Sequence, residues 1–285
     1  MRLPTLAFAS FLGLASTLVA DVPEVGTPIN SIPKVITKPG VYTVKKNLIL
    51  SQTNGIAIIV QAPDVTIDFN GHIISSSAPA DHSINTSKGV VMSSGTNLTV
   101  RNGTLRGFHT AMYLNGPYAP QGNMLIQNMR CEQSIENGIY VSAGGAVTVR
   151  NCTVSETGQG PDPLVSVTLY GILVQSTFAE ISDCTVLNTI PWSISDARAI
   201  QASASEVIVE HCRVINTASV SGGLKTYGIF LFGGTGNFAS DNMISNCTTG
   251  MSFNSGVPGK YSNNLTTGCT TGIIPNSAIS VGANN

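Results

Sequence analysis

The chain has 285 residues, 15 acidic and 14 basic, for a net charge of −1. With only 10% charged residues, it offers no basic patch for nucleic acid and no charged tail of the disordered kind. Gly, Asn, Ser and Thr are abundant and Glu, Lys and Leu scarce, a balance that favours short strands and tight turns over helices.

Arg2 is the only charge before Asp21, and an apolar run from Leu6 to Leu14 leads through small residues to Val19-Ala20. This order predicts a secretory signal peptide over 1–20, cleaved after Ala20. The run is too short to span a bilayer and no later stretch is longer. The expectation is an exported chain, extracellular or periplasmic, without a membrane span. Residues 21–50 read as a lead-in and cap, 51–276 as a repeat array, and 277–285 as a polar tail.

The repeat rests on two anchors. The first is a small residue followed by an aliphatic one: Gly89-Val90, Ala111-Met112, Gly138-Ile139, Gly171-Ile172, Ala199-Ile200, Gly228-Ile229, Gly250-Met251 and Gly272-Ile273. The second, usually 12 or 13 residues later, begins with Asn102, Asn151, Asp183, His211, Asp241 or Asn263. Asn128 arrives 17 residues after Ala111 because 115–123 inserts a loop. Successive second anchors lie 22 to 32 residues apart, the period of one solenoid turn.

Between anchors the pattern has period two, as in Val147-Thr148-Val149 and Val207-Ile208-Val209. A further inward residue follows the second anchor: Val154, Val186, Val214, Ile244. Each coil therefore supplies about three short strands, and stacked coils pair each strand with its equivalents ~4.8 Å above and below. Parallel crossovers are right-handed. The prediction is an all-β, single-domain right-handed parallel β-helix of about eight to nine coils. Asn, Asp and His in the second anchor suit a left-handed corner, since these residues best tolerate positive φ. The following residue (Met129, Cys152, Cys184, Cys212, Asn242, Asn264) is expected to point inward, and Ser134, Thr157, Thr189, Thr217, Cys247 and Cys269 form another small-residue column.

These columns resemble the asparagine and small-residue ladders of the pectate-lyase-like parallel β-helix superfamily. The opening Ile36-Thr37-Lys38-Pro39-Gly40-Val41-Tyr42 and Val65-Thr66-Ile67-Asp68-Phe69-Asn70-Gly71 resemble the first coils of exported bacterial β-helix-repeat proteins. The resemblance covers residues 30–275 and implies the fold. It leaves the activity open among lyases, hydrolases, epimerases, adhesins and tailspikes. Asn-Thr-Asp, Gly-His-Gly and Asp-Pro-His motifs are absent; Asp162-Pro163-Leu164 echoes only the last.

Six cysteines in an exported chain would ordinarily suggest three disulfides. Here they fall on the repeat, so Cys152, Cys184 and Cys212 are expected to be stacked, buried and unpaired. Their spacing supplies no metal site, and no cofactor is expected. Asp183, His211 and Asp241 share one column, which would set the two carboxylates ~9.6 Å apart. The plainer reading is that all three fill corners.

Loops carry the functional reading. Excursions at 75–88, 155–170, 187–198 and 215–227 leave the same side of the solenoid, the last three from consecutive coils. They concentrate charge and the only tryptophan. Tyr170, Arg198 and Tyr227 precede the first anchor on three successive coils and are expected to stack. Tyr170, Trp192 and Tyr227 are the candidates for stacking on sugar rings. Asp162 and Asp196 are candidate acid–base groups, with Arg198 and Lys225 available as cation or base for elimination. The partner implied is a polysaccharide or cell-surface glycan, bound and, in an enzyme, cleaved by a lyase or hydrolase. The alternative is a non-catalytic surface or matrix protein displaying loops for binding. A second candidate surface is the outward stripe Val91, Tyr113, Tyr140, Leu173 and Phe230, which a partner or a covering segment would meet.

Overall fold

The computed structural model describes residues 26–81, 83–115, 122–158, 167–191, 196–218, 225–254, 256 and 258–284. The described secondary structure is all strand, and the strands pair in parallel with their equivalents one coil away. A ten-stranded sheet, here face I, contains the first-anchor strands from Lys34–Ile36 to Thr271–Ile274. The remaining strands form one 18-stranded sheet, which consists of two ladders meeting at the second anchor. Face II includes Val147–Arg150, Ala179–Ser182 and Ile208–Glu210; face III includes Thr153–Thr157, Thr185–Thr189 and Arg213–Thr217. Leu98–Arg106 and Met124–Glu132 run through the corner and belong to both.

The register follows the repeat. Val147 pairs with Ala179 and Glu180 with Ile208, so the alternating segments at 147–149 and 207–209, with 179–181 on the coil between them, share face II. On face I, Ile58, Val90, Met112, Ile139, Ile172, Ile200, Ile229, Met251 and Ile273 form one continuous inward ladder. All but Ile273, in the last coil, are fully buried. Each such aliphatic side chain contributes roughly 1.5–3 kcal/mol relative to exposure, and none could do so without the coils on either side.

All eight second-anchor residues adopt positive φ: Asn70, Asn102, Asn128, Asn151, Asp183, His211, Asp241 and Asn263, from 49° to 62°. Asp183, His211 and Asp241 are exposed and take the same corner conformation as asparagine elsewhere. A second left-handed corner lies five residues later, at Gln133, Glu156, Asn188, Asn216 and Asn246, with Gly107 and Gly268 in the same role. It closes face III, and the mixed residue types hid it from the sequence pattern.

Both ends extend the ladders. Thr27–Ile29 pairs with Tyr42–Val44, and Lys34–Ile36 with Ile58–Val60, so coil formation starts inside the expected lead-in. Beyond Pro275, Ile279–Ser280 pairs with Lys260–Tyr261. Asn284 Oδ1 accepts the Asn264 N–H at 3.1 Å, one more rung of the asparagine ladder formed by Asn242 and Asn264.

All six cysteines are free, and all but Cys269 are buried. Cys152, Cys184 and Cys212 stack as expected, each Sγ–H donating to backbone carbonyls such as Arg150, Ser182 and Glu210 at 3.2–3.3 Å. Burial raises the Cys131 thiol well above its ordinary range and pushes Cys247 up to about 11. For Cys152 the larger cause is its hydrogen bond with Cys184, burial adding to it. Raised folded-state values mean that the neutral thiols' contribution to stability is complete below the unfolded value of about 8.5 and is lost as pH rises through the folded values. The denaturant midpoint should therefore fall progressively above about pH 9. Thiol titration without reductant should find one reactive group in the native protein, Cys269, and six after unfolding; fewer than six would reveal disulfides.

Candidate functional site

The outer surface of face I is built from alternate residues of its strands, since successive side chains in a strand point to opposite faces. The bulge-like Gly/Ala anchor leaves two outward positions per strand in register. One column runs Thr110, Asn137, Tyr170, Arg198, Tyr227. The next runs Val91, Tyr113, Tyr140, Leu173, Gln201, Phe230. Tyr170, Arg198 and Tyr227 thus lie side by side on three successive coils.

Arg198 is the centre of this surface. Its guanidinium carbon lies 5.9 Å from the Tyr170 ring centroid, 5.8 Å from Tyr227 and 4.7 Å from Phe230. Tyr227 and Phe230 are themselves stacked, with centroids 4.7 Å apart. Cation–π attraction over several rings strengthens as the cation loses water, and the Arg198 side chain keeps only 19% of its exposure. One terminal N–H donates to Gln201 Oε1, whose amide nitrogen donates to Ser203 Oγ at 2.6 Å. The other terminal nitrogen is 3.9 Å from Asp196 Oδ2. The Arg198 Nε–H is buried without a hydrogen-bond partner among the described residues. Asp196 Oδ1 accepts the backbone N–H of Lys225 at 3.3 Å, and Lys225 itself is exposed. Of the seven expected site residues, Tyr170, Asp196, Arg198, Lys225 and Tyr227 are therefore assembled. Asp162 and Trp192 lie outside the described residues.

The surface continues toward earlier coils. Tyr113 and Tyr140 meet edge to face at 5.2 Å, Asn115 donates to both phenol oxygens at 3.3 and 3.1 Å, and Lys88 Nζ sits 5.1 Å from the Tyr113 ring. Tyr140 donates to Gln175 Oε1 at 3.0 Å. Burial, with Tyr113 and Tyr170 nearby, raises its phenol and keeps it a neutral donor. Val91, Leu173 and Phe230 of the outward stripe are buried, so the stripe is a packed underlayer and not an open apolar surface.

Sequence reasoning overlooked three features here. Gln201 is polar within an apolar column, yet it fixes the guanidinium. His109 Nε2 lies 3.2 Å from Glu136 Oε2, just before the same column on the two preceding coils; each immediately precedes a column residue, Thr110 and Asn137, and that adjacency was the available signal. Phe232 extends the aromatic run, 5.9 Å from Phe230. A separate concavity of about 720 Å³ lies on face II, lined by Asp64, Thr66, Asn97, Thr99, Arg150 and Glu180 among others. None of the expected site residues line it. Among the described residues no group of three or more His, Cys, Asp or Glu is placed to hold a metal ion.

No curated protein and no solved structure matches the chain. The family described as right handed beta helix region matches residues 35–221, from the first face I strand into the last of the four long excursions. With this match spanning most of the chain and parallel ladders running through the described residues, the protein belongs to the right-handed β-helix family.

Proposed function

We propose that this β-helix binds an acidic polysaccharide along face I, with Arg198 as the cation that receives a uronate carboxylate. The observation that carries the reading is the largely desolvated guanidinium framed by Tyr170, Tyr227 and Phe230. Aromatic faces suit the apolar sides of pyranose rings, and a planar guanidinium suits a carboxylate. Arginine does not deprotonate in proteins. Arg198 is therefore assigned the cation's role, leaving Lys225 as the base candidate if the polymer is also cleaved by elimination. Asp196 orients Arg198 and the Lys225 backbone together, which supports binding more directly than hydrolysis.

The test is binding of uronate-rich and neutral polymers by wild type and Arg198→Ala. Loss of a hydrogen bond to a charged group costs about 1.5–3 kcal/mol, so association with the acidic polymer should weaken roughly ten- to hundredfold. Arg198→Lys should recover only part, because a point charge lacks the fork. Unchanged binding in Arg198→Ala would overturn the reading. Unsaturated products from the same incubations would add lyase activity, and their loss in Lys225→Ala would place the base.

A further inference from the structure

At the ridge where face I turns into face II, several coils hold one residue in the left-handed region. These residues are Asp64 (φ 53°), Asn97 (54°), Phe178 (59°), Glu206 (56°) and Gly236 (75°). Glycine is free there, and Asp and Asn tolerate the conformation through short polar side chains. Phe178 has neither advantage. Nor does burial compensate for its backbone, since it is 60% exposed. A bulky aromatic kept strained and in water is a feature that packing does not explain, and such outliers gather at binding sites.

A second exposed ring belongs to the same ridge. Phe232, 45% exposed, ends the aromatic run that starts at Tyr227 and passes through Phe230. The Phe178 N–H bonds Ser205 on the next coil, and Glu206 N–H bonds Thr235 on the one after, which is the coil that carries Phe232. The two phenylalanines are therefore two coils apart, ~9.6 Å along the axis. A shallow concavity of about 570 Å³ lies on this ridge, lined by Gln175, Ser176, Thr177, Ser203, Ser205 and Phe232 together with Ala and Gly positions. No charged residue lines it among the described residues. Ser203 Oγ accepts from Gln201 at 2.6 Å and Ser205 Oγ accepts the Thr235 N–H at 3.1 Å, so each hydroxyl retains its own O–H to donate.

We propose that this ledge is a binding subsite for a neutral, pyranose-based glycan, with Phe178 and Phe232 stacking on sugar rings and Gln175, Ser203 and Ser205 meeting their hydroxyls. Exposed aromatic faces beside an uncharged floor of hydroxyls and an amide match a ligand that has apolar faces and hydroxyl edges. An acidic polymer would find no counter-charge here, and a lipid surface would bury the floor's polar groups unpaired. The site lies at the opposite edge of face I from Asp196 and Lys225 and does not depend on the role given to Arg198.

Affinity electrophoresis through gels containing a β-glucan, a xylan or a mannan tests the proposal. Wild type should be retarded by at least one of them. Phe178→Asn, which suits the left-handed backbone, should weaken that association at least tenfold while keeping or raising the melting temperature. Phe232→Ala should weaken it similarly, and Phe178→Asn should leave association with the acidic polymer intact. The proposal fails if none of the neutral polymers retards the wild type, or if Phe178→Asn is retarded as strongly. It also fails if sedimentation shows that Phe178→Asn merely disperses a dimer of this chain.

Discussion

Replacing Asn242 with alanine is expected to destabilise the protein by about 3–6 kcal/mol, on the scale of ~1–3 kcal/mol for each buried polar group left unsatisfied. Asn242 is fully buried and completes three bonds between coils. Its Oδ1 accepts the Cys212 N–H at 2.9 Å, and its Nδ2 donates to Val209 O at 2.9 Å and to Asn264 Oδ1 at 2.9 Å. Alanine strands a backbone N–H and a carbonyl inside the core and leaves a void. Domains are commonly stable by only about 5–15 kcal/mol, so the variant should unfold at much lower denaturant. Asn242→Cys should fall between the two: a thiol can donate to a carbonyl, as Cys212 does to Ile181 at 3.5 Å, but is a poor acceptor for the Cys212 amide. Guanidinium unfolding of the three proteins measures the order. A loss below ~1 kcal/mol in Asn242→Ala, less than the cost of one stranded group, would show that the ladder is not a principal tie between these coils.

Gly171→Val should cost about 3 kcal/mol, the upper part of the usual range for overpacking, and should weaken glycan binding with it. A Cβ on Gly171 would sit 2.5 Å from the Ala199 carbonyl oxygen and 2.6 Å from a Val186 methyl. The carbonyl belongs to the next coil's backbone, which its own ladder holds, so the clash must be relieved by parting the coils beside Tyr170 and Arg198. The stacking of those two side chains depends on that coil spacing. Gly171→Ala brings the same Cβ against the same backbone carbonyl, so it too should be destabilised, by about 1–2 kcal/mol, with the two further methyls of valine adding to the loss. Differential scanning calorimetry with the binding assay separates the outcomes. A valine variant as stable as wild type would mean that the coils yield more readily than the ladder implies.

The period and the inward ladder are legible in the sequence, because stacking is an arithmetic property of the chain. Ile172, Ile200 and Ile229 can be aligned by counting, and parallel pairing requires that they meet. The Asn151–Asp183–His211–Asp241 corner is legible for a local reason, namely that positive φ selects residue types. The same logic sets Tyr170, Arg198 and Tyr227 in a row. The second corner escapes because Gln133 and Glu156 interrupt an otherwise Asn and Gly column, and neither residue type shares the preference of those two for positive φ.

Spacing along the chain settles which residues recur at the same place in each coil, and hence the ladders, the corners and the membership of the aromatic–cation row. How the outward side chains divide their contacts is settled only in three dimensions. Folding sets Arg198 against Phe230 and Gln201 as well as its two tyrosines, buries Leu173, and leaves Phe178 and Phe232 in solvent. Inward positions meet partners fixed by the period, whereas outward side chains choose among neighbours on two axes, and spacing along the chain carries no term for that choice.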